Sequence, residues 1–422
     1  MNTKTLSIDS PDFLESTDKP TWLDRLARRI VRSKLRDLES GELTIFEDGQ
    51  VETFGDLGDE TAISASIHVH SPAFYADVAF GGSIGAGEAY IRGAWTTPDP
   101  VALGQVLLQN RQVLNNVEGG AALVTRPLQK LFHWLNRNTR SGSRRNISAH
   151  YDLGNDFYAL WLDPEMMYSC AYYPGATSSL EEAAVAKLDR ICQRLDLGAD
   201  DRVIEIGTGW GGFAIHAAKH YGCHVTTTTI SQQQHDYATA RIKAEGLDDR
   251  ITLLLQDYRD LDGQYDKLVS IEMIEAVGHE YLDTYFRKCS SLLKEDGEML
   301  IQAITIADQR YEKAKRHVDF IKRYIFPGGF LPSVTAMTSA LTRVTDLRAV
   351  MIDDIGPHYA RTLHDWRERF FARIDEVREQ GFSNEFIRLW DFYLTYCEAA
   401  FLERVIGNVH FHAIKPGARP DI

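Results

Sequence analysis

The chain has 422 residues, of which 44% are hydrophobic and 25% charged, which is enough apolar material for two domains with separate cores. Its formal net charge of −14 excludes a general nucleic-acid binder, and no apolar run approaches the roughly 18–20 residues that span a bilayer. Five scattered cysteines without C-x-x-C spacing, and an N-terminus without the apolar core of a signal peptide, predict a reducing, cytoplasmic compartment and no structural metal.

A basic amphipathic helix is predicted over residues 19–36. This segment holds seven Lys or Arg residues and one acid, Asp24, while apolar residues recur at helical spacing and Pro20 suits the first turn. A basic helix on an acidic chain is typical of a membrane-surface contact. The alternative is a solvated helix that packs only on its own domain.

A small α+β domain is predicted from residue 1 to residue 110. A hairpin signature surrounds residues 47–50, further strands are predicted at 63–70 and 74–80, and a short helix follows from Gly81. Residues 111–147 are interpreted as a linker with a helical middle, and residues 148–422 as the second domain.

The second domain alternates strands and helices. A helix is predicted over 180–195, and a long helical stretch with a last strand over 365–412. Strands are predicted at 203–206, 223–230, 251–255, 267–271 and 299–306. This alternation predicts a doubly wound, parallel α/β sheet whose working residues lie at the carboxyl ends of the strands.

The most informative segment is the glycine-rich turn within residues 205–213. Gly207, Gly209 and Gly212 follow a β-branched strand and lead directly into a helix, and such a turn lets a nucleotide-like cofactor approach the backbone. A dinucleotide site expects an acidic residue at the end of the second strand, but that strand ends at Thr229 without a carboxylate. The sequence therefore favours S-adenosylmethionine. A nicotinamide oxidoreductase is the alternative, which tight NADH binding would support.

Polar residues follow several predicted strands and meet in one crevice if the sheet is doubly wound. Thr229, Ser231 and Gln234 are suited to hydrogen-bond a methionine moiety or a ribose. Asp257 and Tyr258 follow the third strand, where an adenine is usually held. Their joint position around one glycine turn, rather than any single residue, predicts the cofactor site.

Two further features carry possible chemistry. Residues 151–158 and 166–173 are dense in aromatic side chains, which predicts either core packing or a pocket that surrounds positive charge with π faces. Glu275 follows an apolar strand, where burial would raise the pKa of its carboxyl or require a partner. A carboxylate at a helix start is the alternative interpretation of Glu275.

The motifs are His150-Tyr151-Asp152, Tyr168-Ser169-Cys170-Ala171-Tyr172, residues 205–212, Thr229-Ile230-Ser231 with Gln234, residues 256–260 and residues 322–333. Together they resemble the cyclopropane-fatty-acid synthase family of S-adenosylmethionine-dependent methyltransferases, from Gly81 to Phe401. The resemblance implies a class I methyltransferase with a Rossmann-like sheet. It also implies methyl transfer to the cis double bond of an unsaturated acyl chain of membrane phospholipid, through a carbocation, with closure of a cyclopropane ring.

The resemblance implies that a bound bicarbonate ion is the general base that takes a proton from the added methyl group. Its ligands map to Cys170, Glu275, Tyr359 and the backbone carbonyl of Ile304, with Gln302 in the place of the family's usual histidine. A glutamine amide still donates a hydrogen bond to an anion but cannot become cationic or relay a proton. Gln302 therefore keeps open a related acyl-lipid methyltransferase that makes a methyl-branched or methylene product.

The resemblance also implies the residues that hold S-adenosylmethionine. They are Tyr168, Ser169, Glu205, Gly207, Thr208, Gly209, Gly211, Thr229, Ser231, Gln234, Asp257 and Tyr258. Cys397 resembles a cysteine long treated as an active-site residue in the family. The helical pattern around Cys397 by itself favours a buried structural cysteine over a catalytic one.

The implied partner is a phospholipid bilayer with cis-unsaturated acyl chains, which the protein meets as a peripheral protein at the inner face of the membrane. The small domain is interpreted as a lipid-binding or dimerisation module, and similar enzymes imply a homodimer. A non-catalytic lipid carrier with the same fold is the alternative from outside the enzymes. Lack of S-adenosylmethionine binding would support that alternative.

Overall fold

The computed structural model of the protein describes residues 20–56, 58, 62–113 and 153–419. The chain divides into two compact units that are discontinuous in sequence. The first unit comprises Met1–Phe132, Val318–Arg323 and Trp366–Val405, and the second comprises His133–His317, Tyr324–Asp365 and Ile406–Ile422. The domain boundaries at 110 and 147 stay a prediction, because the expected linker helix and the His150 motif lie outside the described residues.

The helices and strands of the described residues are numbered here in chain order. The helices are α1 (Trp22–Leu35), α2 (Ala73–Ile91), α3 (Pro100–Gln109), α4 (Asn155–Ala159), α5 (Leu180–Arg194), α6 (Gly212–Tyr221), α7 (Gln232–Ala244), α8 (Leu282–Leu292), α9 (Asp308–Ala314), α10 (Phe320–Tyr324), α11 (Val334–Val344), α12 (Gly356–Ala372), α13 (Ile374–Glu379) and α14 (Asn384–Leu402). The strands are β1 (Gly41–Glu47), β2 (Gln50–Asp56), β3 (Ser64–Val69), β4 (Trp95–Thr96), β5 (Arg202–Ile206), β6 (His224–Thr229), β7 (Ile251–Leu255), β8 (Tyr265–Ile271), β9 (Leu293–Ile306), β10 (Arg348–Asp354) and β11 (Ile406–Ile414).

The first unit contains a four-stranded sheet in the order β2-β1-β3-β4. The predicted hairpin is confirmed, since β1 and β2 pair antiparallel across Asp48 and Gly49. Both turn residues have positive φ, as a two-residue type I′ turn requires. The basic helix is confirmed as α1, where Thr21 caps the first turn and accepts a hydrogen bond from the Asp24 amide.

The strand predicted at 74–80 is wrong, because this segment forms the first half of α2. Its alternating apolar residues suggested a period of two. The structure instead buries Phe74, Tyr75 and Ala79, which is a helical spacing, in a core shared with α1. This packing outweighs the β propensity of the aromatic residues. Gly82, whose φ is +59°, kinks α2, so the helix predicted from Gly81 is its second half.

The second unit contains a seven-stranded sheet in the order β10-β11-β9-β8-β5-β6-β7. Only β11 runs opposite to its neighbours, and the other strands run parallel. The predicted α/β sheet is thus confirmed, with one antiparallel strand added. The chain order reverses between β5 and β8, and ligands of such sheets bind beyond the carboxyl ends of the strands at this point.

Helix α14 completes the core of the first unit by packing against α2 and α3. Asp391 on α14 is buried and accepts hydrogen bonds from the Tyr90 hydroxyl at 2.5 Å and from Arg367 Nε at 2.6 Å. The ring of the next residue, Phe392, contacts the rings of Tyr90 and Phe320. A segment near the end of the chain therefore closes a core that begins near residue 22.

We expect Asp391→Asn to lower the free energy of unfolding by about 3–5 kcal/mol, because Arg367 is left buried without its charged partner. Urea unfolding followed by circular dichroism measures this loss. Asp375→Asn is the matched control, since its ion pair with Arg378 is exposed and contributes less than about 1 kcal/mol. Equal losses in the two variants would contradict the role given to Asp391.

Candidate active site

The glycine turn after β5 leaves open space beside its backbone. Gly207, Gly209 and Gly211 all have φ in the left-handed region, at +99°, +53° and +90°. A Cβ added to Gly209 would meet no atom within 4 Å. The hydroxyl of Thr208 is buried and has no hydrogen-bond partner among the described residues. The turn therefore presents an open cradle and a polar atom with which a bound ligand can form a hydrogen bond.

The residues that follow β6 bond to one another at the same edge of the sheet. The Thr229 hydroxyl donates to Gln234 Oε1 at 2.9 Å, and Ser231 caps α7. Glu205 on the neighbouring strand β5 is buried and accepts from the Thr227 hydroxyl at 2.5 Å. Burial raises the pKa of Glu205 to about 8, so this carboxyl is mostly protonated at neutral pH.

The end of β7 carries a partner that the sequence analysis did not anticipate. Both oxygens of Asp257 accept hydrogen bonds from the Arg259 guanidinium, at 2.8 and 2.6 Å. The ring of Tyr258 lies edge-on to Tyr285, with centroids 5.7 Å apart. The structure brings Asp257 and Tyr258 to the expected edge of the sheet, while their contact with an adenine stays a prediction.

The segment 168–170 runs past this edge in aromatic surroundings. The Tyr168 ring packs against Tyr158 and Trp161, with centroids 5.4 and 5.5 Å away, and lies 6.4 Å from the Phe326 ring. The Ser169 hydroxyl accepts a hydrogen bond from Lys187 Nζ at 2.7 Å. Because Lys187 is fully buried, the pKa of its ammonium is lowered to about 8.

The centre of the site is Glu272, a carboxylate to which the sequence analysis gave no role. Its Oε1 accepts hydrogen bonds from the Cys170 amide at 2.9 Å, from Gln302 Nε2 at 2.8 Å and from Asn408 Nδ2 at 2.6 Å. Its Oε2 accepts from the Tyr359 hydroxyl at 2.8 Å. Four donors from four separate segments of the second unit thus converge on one side chain.

A second layer fixes the direction of the Gln302 amide. His410 Nε2 lies 3.0 Å from Gln302 Oε1, and Gln302 Nε2 also donates to the Cys170 carbonyl at 3.1 Å. Burial lowers the pKa of His410 to about 3, so this imidazole is neutral. An amide oxygen only accepts, so His410 carries its proton on Nε2 and donates to Gln302. The amide NH2 of Gln302 is thereby directed toward Glu272.

Glu275 forms the second carboxyl group of the cluster. One of its oxygens accepts from the Ile304 amide at 2.5 Å, and the other is buried without a partner among the described residues. Burial and the nearby negative charge of Glu272 raise the pKa of Glu275 well above its usual range. The pKa of Glu272 is also raised by burial, but its donors and Lys187 oppose that shift. The proton of the pair therefore belongs to Glu275, and Glu272 is the anion.

The predicted ligands of bicarbonate are brought together, but around a different anion. Cys170, Gln302 and Tyr359 all donate to Glu272, and Glu275 is bonded to the Ile304 amide. A separate bicarbonate does not fit on these three donors while Glu272 holds them. Burial raises the pKa of the Cys170 thiol, so this residue contributes its amide rather than a thiolate.

Cys397 lies on α14, in the first unit. Burial raises the pKa of its thiol, which favours the protonated form of the sulfur at neutral pH. A catalytic role of Cys397 stays a prediction.

Sequence reasoning missed Glu272, Asn408, His410 and Lys187. The available signal was the position of Glu272 as the first residue after β8, since the ends of parallel strands hold the working residues of such sheets. Asn408 and His410 lie on β11, which the sequence indicated only as a last strand. Their register opposite Ile304 and Gln302 on β9 is visible only in the folded sheet.

Sequence comparison gives a family and two well-covered relatives. Residues 138–411 match the sequence model of the family described as mycolic acid cyclopropane synthetase. The chain is 37% identical over 371 residues to tuberculostearic acid methyltransferase of Mycobacterium tuberculosis, an alignment that covers 83% of this chain and 84% of that protein. It is 39% identical over 351 residues to cyclopropane-fatty-acyl-phospholipid synthase of Escherichia coli K12, which covers 81% of this chain and 86% of that protein.

Comparison with solved structures also finds cyclopropane synthases. A cyclopropane synthase from Mycobacterium tuberculosis aligns with a TM-score of 0.60 and 28% identity, covering 64% of this chain and 98% of that one. A mycolic acid cyclopropane synthase complexed with SAH and CTAB aligns with a TM-score of 0.60 and 29% identity, at the same coverage. The predicted class I S-adenosylmethionine methyltransferase fold is confirmed. The open cradle at Gly209 and the unpartnered hydroxyl of Thr208 fit S-adenosylmethionine as the bound molecule.

We expect Gly209→Val to weaken S-adenosylmethionine binding by about 100-fold or more, because the new side chain fills the space beside the turn. Isothermal titration calorimetry measures the dissociation constant. Gly246→Val is the matched control, since Gly246 also has a positive φ, of +66°, and open space around it, at the end of α7. Unchanged binding by the Gly209 variant would place the ligand elsewhere.

Proposed function

The chain belongs to the mycolic acid cyclopropane synthetase family, and from this membership we propose that it forms cyclopropane fatty acids on membrane phospholipid. It is an S-adenosylmethionine-dependent methyltransferase that modifies lipids. In the proposed reaction, the methyl group is added to the cis double bond of an unsaturated acyl chain, and loss of a proton closes the three-membered ring. When bound, S-adenosylmethionine supplies the electrophilic methyl group.

The observation that carries the proposal is a buried acceptor for a proton beside the glycine turn. Methylation of an alkene uses its π electrons and leaves a carbocation, which closes to a cyclopropane only when a proton leaves carbon. The carboxyl groups of Glu272 and Glu275 are largely desolvated, although both residues keep some exposed surface, and the pair contains one anion. A carboxylate that is shielded from water is suited to take a proton from carbon. The site therefore favours methylation of a double bond over methylation of an exposed amine or hydroxyl.

The aromatic surroundings of Tyr168 support the carbocation in this proposal. Tyr158 and Trp161 are buried, and their rings contact Tyr168 near the segment that leads to Cys170. The π faces of such rings attract positive charge, by about 2 kcal/mol or more when water is excluded. The aromatic block therefore serves as a cation-stabilising wall as well as a packing element.

The contacts of S-adenosylmethionine are proposed at the residues that the sequence predicted. The edge formed by Glu205, the glycine turn, Thr229, Ser231 and Gln234 is suited to the methionine and ribose parts. Asp257 and Tyr258 are suited to the adenine, with Arg259 holding the Asp257 carboxylate in place. Tyr168 and Ser169 line the side that faces Glu272 through Cys170.

A second product class has support of its own. Tuberculostearic acid methyltransferase is a relative at 37% identity, and Gln302 stands where the family resemblance implies a histidine. The same carbocation gives a methylene group when a 1,2-hydride shift precedes loss of a proton from the added methyl group. A saturated methyl branch instead requires hydride from a reductant that a partner supplies. The nature of the product therefore needs a direct chemical test.

We expect purified protein with trideuteromethyl-labelled S-adenosylmethionine and vesicles of cis-monounsaturated phospholipid to give acyl chains that gain one CD2 group. Mass spectrometry before and after mild hydrogenation identifies the product, because a cyclopropane resists hydrogenation and a methylene group takes up hydrogen. Retention of all three deuterium atoms would show that the added methyl group loses no proton, because the acyl chain loses one instead or the carbocation takes up hydride. That result, or a hydrogenated product, would replace the cyclopropane by the second product class.

We also propose that α1 attaches the protein peripherally to the cytoplasmic, inner face of the membrane. Trp22, Leu26 and Ile30 are 70%, 44% and 41% exposed and lie four residues apart, so they form one apolar stripe. Arg25 and Arg29 are exposed beside this stripe. Each such cation near an anionic leaflet contributes about 1 kcal/mol. Among the described residues, no helix is long and apolar enough to cross a membrane.

The first unit is proposed to hold lipid or to support dimerisation. The homodimer comes from the family resemblance, and light scattering of the purified protein tests it.

We expect Trp22→Ser to weaken binding to anionic, cis-unsaturated phospholipid vesicles by about tenfold, since burying such a side chain contributes about 1.5–3 kcal/mol. Co-sedimentation with vesicles measures the partition coefficient. Val51→Ser serves as the control, because Val51 is 61% exposed on β2 and lies outside the proposed contact. If both variants bind vesicles like the parent protein, α1 is a solvated helix.

A further inference from the structure

We propose that Glu272 is the enzyme's own general base, and that its carboxylate replaces the bicarbonate ion implied by the family resemblance. This inference rests on the proposed function and identifies the group that takes the proton. It separates this chain from a mechanism that depends on a dissolved anion.

The first argument is the set of donors. The resemblance assigns an anion to Cys170, Gln302 and Tyr359, and the structure places a carboxyl group on these residues. That group is the side chain of Glu272, bound through distances of 2.8–2.9 Å. A carboxylate and a bicarbonate share the same planar O–C–O group, so one set of donors suits either. Asn408 adds a fourth hydrogen bond at 2.6 Å.

The second argument is the backbone at Glu272. Its φ is +48°, in the left-handed region that a residue with a side chain rarely adopts. Such a conformation costs on the order of 1–3 kcal/mol and persists only where its surroundings fix it. Here the Glu272 amide donates to the Gln302 carbonyl at 2.8 Å, and the four donors hold the side chain. The strain directs the carboxylate into the cluster at the end of β8.

The third argument is that Glu272 lies close to the glycine turn after β5, where the cofactor is proposed to bind. Met273, the next residue, lies against Gly207, where an added Cβ would stand 3.2 Å from the Met273 side chain. Cys170, which donates to Glu272, directly follows Tyr168 and Ser169. The anion therefore lies between two segments that the cofactor is proposed to contact.

The charges of the neighbours keep Glu272 ready to accept a proton. Glu275 holds the proton of the pair, since burial and Glu272 raise its pKa. Lys187 is buried nearby, and Glu272 is the strongest of the charges that stabilise its ammonium form. Gln302 is positioned by neutral His410, so it supplies a donor without adding a positive charge. A full cation at that position would make Glu272 a weaker base.

The chemistry balances without any further reactant. Methyl addition converts the alkene to a carbocation and releases the thioether S-adenosylhomocysteine. One oxygen of Glu272 then takes a proton from the added methyl group. The electron pair of the broken C–H bond forms the C–C bond that closes the ring, and the protonated carboxyl later returns its proton to solvent.

The test compares variants in buffer purged of carbon dioxide, with and without millimolar bicarbonate or formate. We expect the parent protein to be fully active when purged and to show no response to bicarbonate. Glu272→Ala should lose about 10²–10⁴-fold in turnover. It should regain at least tenfold when either anion enters the space that the glutamate side chain leaves between its four donors. Glu272→Gln should be equally slow and should not be rescued, because its side chain still fills that space.

Glu295→Ala is the control for loss of a carboxylate, since Glu295 is exposed near the start of β9. A parent enzyme that needs bicarbonate, or a Glu272→Ala variant of normal turnover in purged buffer, would overturn the inference. If Glu272→Ala does not fold, the turnover of the parent protein and of Glu272→Gln, with and without bicarbonate, still tests the inference. Calorimetric titration verifies that each variant binds S-adenosylmethionine. Absence of lipid product from the parent protein in every buffer would instead refute the proposed function.

Discussion

One largely desolvated negative charge, the Glu272 carboxylate, connects four segments of the second unit. Taking a carboxylate out of water costs several kcal/mol unless hydrogen bonds and opposite charge compensate it, and Glu272 receives four hydrogen bonds and the field of Lys187. The donors stand on the loop before α5, on β9, on α12 and on β11. They meet because β11 inserts between β9 and β10, which places Asn408 and His410 beside Gln302. The antiparallel strand β11 is therefore needed to surround the Glu272 carboxylate as well as to complete the sheet.

The two carboxyl groups of the cluster differ because their surroundings differ. Glu272 has donors on both oxygens, whereas Glu275 has one donor and one buried oxygen without a partner among the described residues. One group is thereby held as an anion and the other as a neutral acid, although both are glutamates on the same short segment. Identical side chains acquire separate roles through the number of hydrogen bonds each receives. The neutral His410 continues this pattern, since it orients Gln302 without contributing charge.

The sequence predicted the site that is built from contiguous residues, and it did not predict the site that is built from distant segments. The glycine turn is a strand, a turn and a helix start within about ten contiguous residues, so its fold and its ligand class follow from residue types alone. Glu272 lies between 30 and 136 residues from its donors, and no spacing in the sequence indicates that they meet. The resemblance predicted that Cys170, Gln302 and Tyr359 bind an anion, but it did not predict that the Glu272 carboxylate takes that place. The strand predicted at 74–80 failed for a related reason, because packing against α1 decided its conformation.

The late position of Asp391 has a consequence for how the protein is made. Tyr90 and Asp391 are 301 residues apart, yet they share one buried hydrogen bond in the first unit. At a synthesis rate of about 5–20 residues per second, the earlier half of this core waits roughly 15–60 s for its partner. During that interval the aromatic surface that later meets Phe392 is unprotected on the ribosome. The nascent chain is therefore an expected client of chaperones, even though the finished unit is well packed.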